Sequence, residues 1–184
     1  MLSQFTPEGG HTTLAALGAF PTDVYPVGRL DADSEGLLLL TNDKSINQQL
    51  LLPEFKHVRT YWAQVDGQIT PEACQQMAQG LSLTIKGQAF KTLPCKAKVV
   101  VPPLNFPERN PPIRVRKNIP TSWVELELVE GKNHQVRKMT AAVGFPTLRL
   151  VRMSIELLQL GTMQPSQVRK LSKEDIYKGL KLKA

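Results

Sequence analysis

Across residues 123–128 the chain alternates strictly: Val124, Leu126 and Leu128 are aliphatic, while Trp123, Glu125 and Glu127 are amphipathic or charged. Successive side chains of an extended strand point to opposite faces, so this spacing predicts a strand with one face buried and the other solvated. Residues 60–66, 94–101 and 148–155 read the same way, which spreads strands along the whole chain. Helices are marked by their ends. Thr70-Pro71-Glu72 offers an N-cap, a proline at the first helical position and an acid in the first turn, and Gly80 supplies the stop. Residues 45–52 before Pro53, 134–143 before Gly144 and 173–180 behind the cap Ser172 are the other helices expected. There is no regular βαβ rhythm and no repeat. The expectation is an α+β fold, a mixed and mostly antiparallel sheet in two half-lobes with flanking helices and a basic cleft between them.

A chain of 184 residues with 41% hydrophobic content can bury one sizeable core or two small ones. No apolar run approaches the roughly 20 residues of a membrane span, and Met1-Leu2-Ser3-Gln4 has no basic-then-apolar signal. A cytoplasmic location without membrane association is therefore expected. Cys74 and Cys95 fall on different predicted elements with no partners at metal-ligand spacing, so they read as neutral thiols, and no metal site is expected.

The net charge of +7 is unevenly spread. Residues 1–130 hold 12 Lys and Arg against 13 Asp and Glu, net −1; residues 131–184 hold 11 against 3, net +8. A concentrated positive field attracts polyanions, with an affinity that falls as salt rises because phosphate neutralisation releases counterions. A solvated basic surface is the alternative on charge alone. Residues 102–120 stand apart, with six of the chain's fourteen prolines and Arg109, Arg114, Arg116 and Lys117 against a single Glu. They read as an exposed loop or loosely formed strands, either closing over a nucleic-acid backbone or inert.

One stretch carries most of the chemistry: Tyr25-Pro26-Val27-Gly28-Arg29-Leu30-Asp31-Ala32-Asp33-Ser34-Glu35-Gly36, continuing through Leu37 to Leu40 and Thr41-Asn42-Asp43. It sets one carboxylate, Asp31, between an arginine and an apolar strand. Read as a calcium loop, it fails at its twelfth position, where Asn42 cannot supply a bidentate carboxylate. A glycosidase pair of Asp31 and Asp33 has only the spacing in its favour. A turn capped by Asp31 and Ser34 ahead of a buried strand is the structural alternative.

The segment from Pro26 to Asp43 closely resembles the catalytic motif of the RsuA-type ribosomal RNA pseudouridine synthases. Three later markers fall in the family's order: Arg59-Thr60-Tyr61, then Glu130-Gly131-Lys132-Asn133-His134-Gln135-Val136-Arg137-Lys138-Met139, then Leu148-Arg149-Leu150-Val151-Arg152. The resemblance covers roughly residues 20–175. It implies an isomerisation of uridine within ribosomal RNA, of the large subunit, with no cofactor. The N1–C1′ glycosidic bond breaks, the base turns, and C5 bonds to C1′. Residues 1–184 would form one catalytic domain, monomeric, lacking the family's first strand and the S4-type RNA-binding domain that many members carry.

The resemblance also implies roles. Asp31 matches the essential carboxylate, either a nucleophile at C1′ or a base at C2′. Desolvation favours a neutral acid, whereas a guanidinium within about 4–6 Å favours the anion, and Arg137 is the matching partner. Tyr61 would lay its ring on uracil, where stacking is worth about 1–3 kcal/mol per base, and assist loss of the C5 proton. Trp62, on the other face of the same strand, reads as core. Leu150 matches an apolar lining of the uracil pocket. Lys132, His134, Gln135, Lys138, Arg149 and Arg152 read as phosphate or base contacts for a nucleotide taken out of its stack, with His134 in a binding role. Arg29 is structural or RNA-contacting.

Overall fold

The computed structural model describes residues 1–113 and 119–182, so Arg114, Arg116 and Lys117 of the basic segment lie outside the described residues. In chain order the elements are β1 (Tyr25–Pro26), β2 (Glu35–Gly36), β3 (Leu40–Thr41), α1 (Lys44–Leu51), β4 (Arg59–Asp66), α2 (Pro71–Gln79), β5 (Ser82–Ile85), β6 (Gln88–Lys91), β7 (Lys96–Val100), β8 (Thr121–Leu128), α3 (Gln135–Ala142), β9 (Thr147–Ile155), β10 (Leu158–Gln159) and α4 (Lys173–Leu180). Met1–His57 with Arg152–Ala184 form one compact unit, and Val58–Val151 form the other. The chain folds as the mixed, mostly antiparallel sheet with flanking helices that its strand patterns predict.

In the second unit the strand order is β9-β4-β8-β7. β4 and β8 pair antiparallel from Arg59 opposite Leu128 to Asp66 opposite Thr121, and β7 joins β8 with Val99 opposite Val124. This register places Ala63, Val65, Val124 and Leu126 on one face, packed with Cys74 and Met77 of α2, Val136 and Met139 of α3, and Leu150 of β9. Burying side chains such as Leu126 and Met139 contributes about 1.5–3 kcal/mol each. The other face is laced across the strands. Trp62 Nε1 donates to Glu125 Oε2 at 2.8 Å, and Lys98 and Lys96 pair with Glu125 and Glu127 at 2.9 and 2.8 Å. β5 and β6 form a separate hairpin in which Lys86 and Gly87 both take positive φ, at 51° and 78°, as a two-residue turn of type I′ requires.

In the first unit Val27, Leu37, Leu39, Ile46, Leu50, Ile155 and Leu180 form the core. A buried carboxylate adjoins it: Glu156 lies 3.2 Å from His57 Nδ1 and 2.8 Å from Lys181 Nζ.

Helix ends follow local chemistry. Asp43 caps α1 by accepting from Ser45 N at 2.9 Å, Thr70 caps α2 through Ala73 N at 3.2 Å, and Ser172 caps α4 through Asp175 N at 3.0 Å. α3 begins one residue later than the sequence suggests, because His134 adopts a left-handed conformation with φ 52° and stands outside the helix as its cap position.

Two expectations change. Trp62 is not core: it lies half-buried on the outer face, its ring 5.4 Å from Phe106. Nor is the start of the proline-rich segment simply exposed, since Phe106 also meets Trp123 edge-on at 5.6 Å. The sequence offered one sign of this, in that Phe106 is the sole aromatic residue among positions 102–120.

Candidate active site

Asp31 sits in a turn that the first unit grips from both sides. β1 pairs with β3, and Val27 N donates to Leu39 O at 2.8 Å, so the chain enters the motif from a formed ladder. Gly28 then turns with φ 73°. The Ser3 hydroxyl accepts from Leu30 N at 2.9 Å and donates to Leu30 O at 3.1 Å, satisfying both backbone groups of the residue before Asp31. Ser34 N donates to Asp31 O at 2.9 Å, which closes the turn. Beyond it, β2 pairs with β9. Leu37 N donates to Arg152 O at 2.9 Å, and Arg152 Nε donates back to Leu37 O at 2.7 Å. Gly36 has φ 104°, and a Cβ there would run into the Arg152 backbone, so only glycine fits.

Arg152 is therefore part of the frame. It is 4% exposed, and its Nη2 is buried with no hydrogen-bond partner among the described residues. Arg29, by contrast, is exposed and reaches Gln4 Oε1 at 3.4 Å. Asp31 itself is partly exposed.

The second unit assembles Tyr61, Leu150 and α3. Tyr61 stands opposite Leu126 on β4 and packs against the buried cluster that holds Leu150, Val136 and Met139. Arg137 lies in the first turn of α3, half-buried, and its carbonyl accepts from Thr140 Oγ1 at 3.1 Å. The turn leading into α3 is built by Gln135, 4% exposed. Its Oε1 accepts from Lys132 N at 3.0 Å, and its Nε2 donates to Glu130 Oε1 at 2.6 Å, while Glu130 also accepts from Leu93 N at 2.9 Å. Gln135, expected at the substrate, is a structural clasp.

The basic residues divide. Lys132 is exposed with its ammonium 5.2 Å above the Phe90 ring, and Lys138 Nζ donates to Thr84 O at 2.9 Å, so both attach α3 to the β5–β6 hairpin. His134 is exposed. Arg149, 6% exposed, projects to the sheet face opposite Tyr61 and Leu150, where its guanidinium lies 5.1 Å from the Phe106 ring and 5.8 Å from that of Trp123. The expectation of surface phosphate contacts at Arg149 and Arg152 is corrected by burial: alternation along β9 turns Arg149 away from Leu150, and β2 covers Arg152.

Neither thiol is poised for nucleophilic chemistry. Burial, with the Glu130 charge adding to it, pushes Cys95 up to about 11, and burial together with Glu72 raises Cys74. Among the described residues no group of three or more His, Cys, Asp or Glu side chains is placed to hold a metal ion, and no helix is long and apolar enough to cross a membrane.

A family model described as RNA pseudouridylate synthase matches residues 6–142. Among individual proteins, the ribosomal large subunit pseudouridine synthase E of Vibrio parahaemolyticus is 48% identical over 167 residues, covering 90% of this chain and 67% of that protein. The protein of the same name from Xanthomonas axonopodis pv. citri is 44% identical over 167 residues, covering 90% of this chain and 85% of its own. A crystal structure of a pseudouridylate synthase superposes with a TM-score of 0.74 at 25% identity, over 91% of this chain and 65% of that chain.

Proposed function

Since the chain belongs to the RNA pseudouridylate synthase family, we propose that it isomerises one specific uridine of large-subunit (23S) ribosomal RNA to pseudouridine in the cytoplasm. The observation that carries the reading is the Asp31 turn, fixed on one side by Ser3 and on the other by the interlock of Leu37 with Arg152. Such bracing on both flanks suits a carboxylate whose position must be held to a fraction of an ångström for attack or proton removal. The likeness to two synthases named for the large ribosomal subunit supports the substrate.

In this reading the Asp31 carboxylate is the essential group. It adds to C1′ as the N1–C1′ bond breaks, or removes the C2′ proton as uracil leaves; both routes consume the anion and restore it once C5 has bonded to C1′. Arg137 keeps the carboxylate ionised when the flipped nucleotide excludes water. Tyr61 stacks on the uracil beside the apolar Leu150, and its hydroxyl assists departure of the C5 proton. Lys132, His134 and Lys138 meet the phosphates of the distorted strand, and Arg29 contacts RNA next to Asp31. A monomer suffices for this chemistry.

The test is to incubate the protein with large-subunit ribosomal RNA tritiated at uridine C5, free and in assembled particles, and to map the product. Tritium release at one position, with no free uracil, is expected. RNA binding without release from any substrate would contradict the reading.

A further inference from the structure

The outer face of the second unit's sheet carries a cluster with no part in the reaction just described. Phe106 enters it from the proline-rich segment, 5.4 Å from Trp62 on β4 and 5.6 Å from Trp123 on β8. The Arg149 guanidinium of β9 lies against both the Phe106 and Trp123 rings, and its Nη1 donates to Pro107 O at 2.9 Å. Phe106 N donates to Pro103 O at 2.9 Å, closing a turn whose tip, Leu104 and Asn105, is exposed. Trp62 is oriented by Glu125, and Glu125 by Lys98.

Three strands thus supply a buried arginine and both tryptophans of the chain to hold one phenylalanine of a loop. Burying a guanidinium is unfavourable unless rings and carbonyls compensate, so an inert connection gives no reason for the arrangement. The segment held in this way is rich in proline and, in sequence, basic: Arg109, Arg114, Arg116 and Lys117 stand against Glu108 alone.

We propose that Arg149 is a positioning residue. With Trp62, Phe106 and Trp123 it clamps the start of the proline-rich segment, so that this segment meets the ribosomal RNA backbone already ordered. The clamp acts on substrate affinity and leaves the chemical step alone, because it lies on the face opposite Tyr61 and Leu150. Pre-ordering removes an entropic cost of binding that a released loop would incur. The inference rests on ribosomal RNA being the substrate.

The experiment compares wild type, Phe106→Ala, Phe106→Tyr and Arg149→Ala. Because Trp62 and Trp123 are the chain's only tryptophans and both contact Phe106, intrinsic fluorescence reports the clamp directly. Phe106→Ala should red-shift emission and increase acrylamide quenching. On large-subunit ribosomal RNA it should raise KM and the filter-binding Kd about three- to tenfold, with kcat within about twofold, while Phe106→Tyr, which keeps the ring, behaves as wild type. Arg149→Ala should raise Kd similarly; if it does not fold, Phe106→Ala, at a loop position, decides. A fluorescence change with wild-type Kd and KM overturns the proposal, as does a fall in kcat at unchanged KM. Should wild type release no tritium, the functional reading fails, and the Kd comparison alone still decides the clamp.

Discussion

Leu37 and Arg152 are locked to each other twice, the Leu37 amide donating to the Arg152 carbonyl at 2.9 Å and the Arg152 Nε donating to the Leu37 carbonyl at 2.7 Å. This reciprocal pair fixes the chain just past the Asp31 turn. It depends on Gly36, whose backbone passes against that of Arg152 at φ 104°. Gly36→Ala should therefore cost about 2–4 kcal/mol of stability, from left-handed strain plus a backbone collision. Urea unfolding checks it; a midpoint equal to wild type would mean that the strand contact is not rigid.

The turn before α3 gives a second expectation. Gln135 satisfies Lys132 N and Glu130 at once from a buried position, so Gln135→Ala should lower stability by about 1–3 kcal/mol by leaving those groups unbonded. Affinity for RNA, measured at a temperature where the variant is folded, should change less than about threefold. A variant of wild-type stability with weakened RNA binding would instead make Gln135 a substrate contact.

Acid stability has a specific contributor in Asp43. The Tyr177 hydroxyl, donating at 2.9 Å, and then the Ser45 amide and Lys173 hold its carboxyl below the ordinary range, against the opposing effect of burial. A folded-state pKa below the unfolded one means that the stabilisation is complete above about pH 4 and is lost as pH falls through the folded value. Asp43→Ala should cost about 1 kcal/mol at neutral pH through loss of the helix cap. Thermal melts from pH 7 to pH 2 should show the difference between variant and wild type shrinking at the acid end; a constant gap would rule out the linkage.

With its thiol pushed up to about 11, Cys95 is neutral throughout the physiological range. It should react with a disulfide reagent at pH 7.5 far more slowly than a free cysteine, and Cys95→Ala should leave tritium release within about twofold of wild type. Rapid labelling that abolishes activity would contradict this.

The sequence exposed the parts of this protein that depend on local periodicity or on caps. The alternation around Val124 and Leu126 located β8, and Thr70-Pro71-Glu72 with Gly80 located α2. The β5–β6 hairpin was overlooked although Lys86-Gly87 marks its turn, because Leu83 and Ile85 form too short an alternation to stand out. Ser3, 27 positions from Leu30, and Arg152, 115 positions from Leu37, grip the Asp31 turn through contacts that no local pattern encodes. Charge counting misled at Arg149 and Arg152, because a guanidinium in sequence carries no sign of whether it faces water or aromatic rings. The motif from Pro26 to Asp43 was the most legible feature, being contiguous and long.

Arg137 provides the check on charge balance. If it is the counter-ion of Asp31, Arg137→Ala strands a desolvated anion at a cost of about 3–5 kcal/mol, and turnover should fall nearly as far as on removing Asp31 itself. Arg137→Lys should recover part of the activity. Normal turnover in Arg137→Ala would show that another cation holds the carboxylate.

The most direct measurement is the single-turnover rate of tritium release from large-subunit ribosomal RNA by Asp31→Asn, taken together with its RNA dissociation constant. Asparagine keeps the shape and removes the anion, so release should fall about 10³-fold or more while the dissociation constant stays within about threefold of wild type. Release at the wild-type rate would contradict the assignment of the chemistry to Asp31.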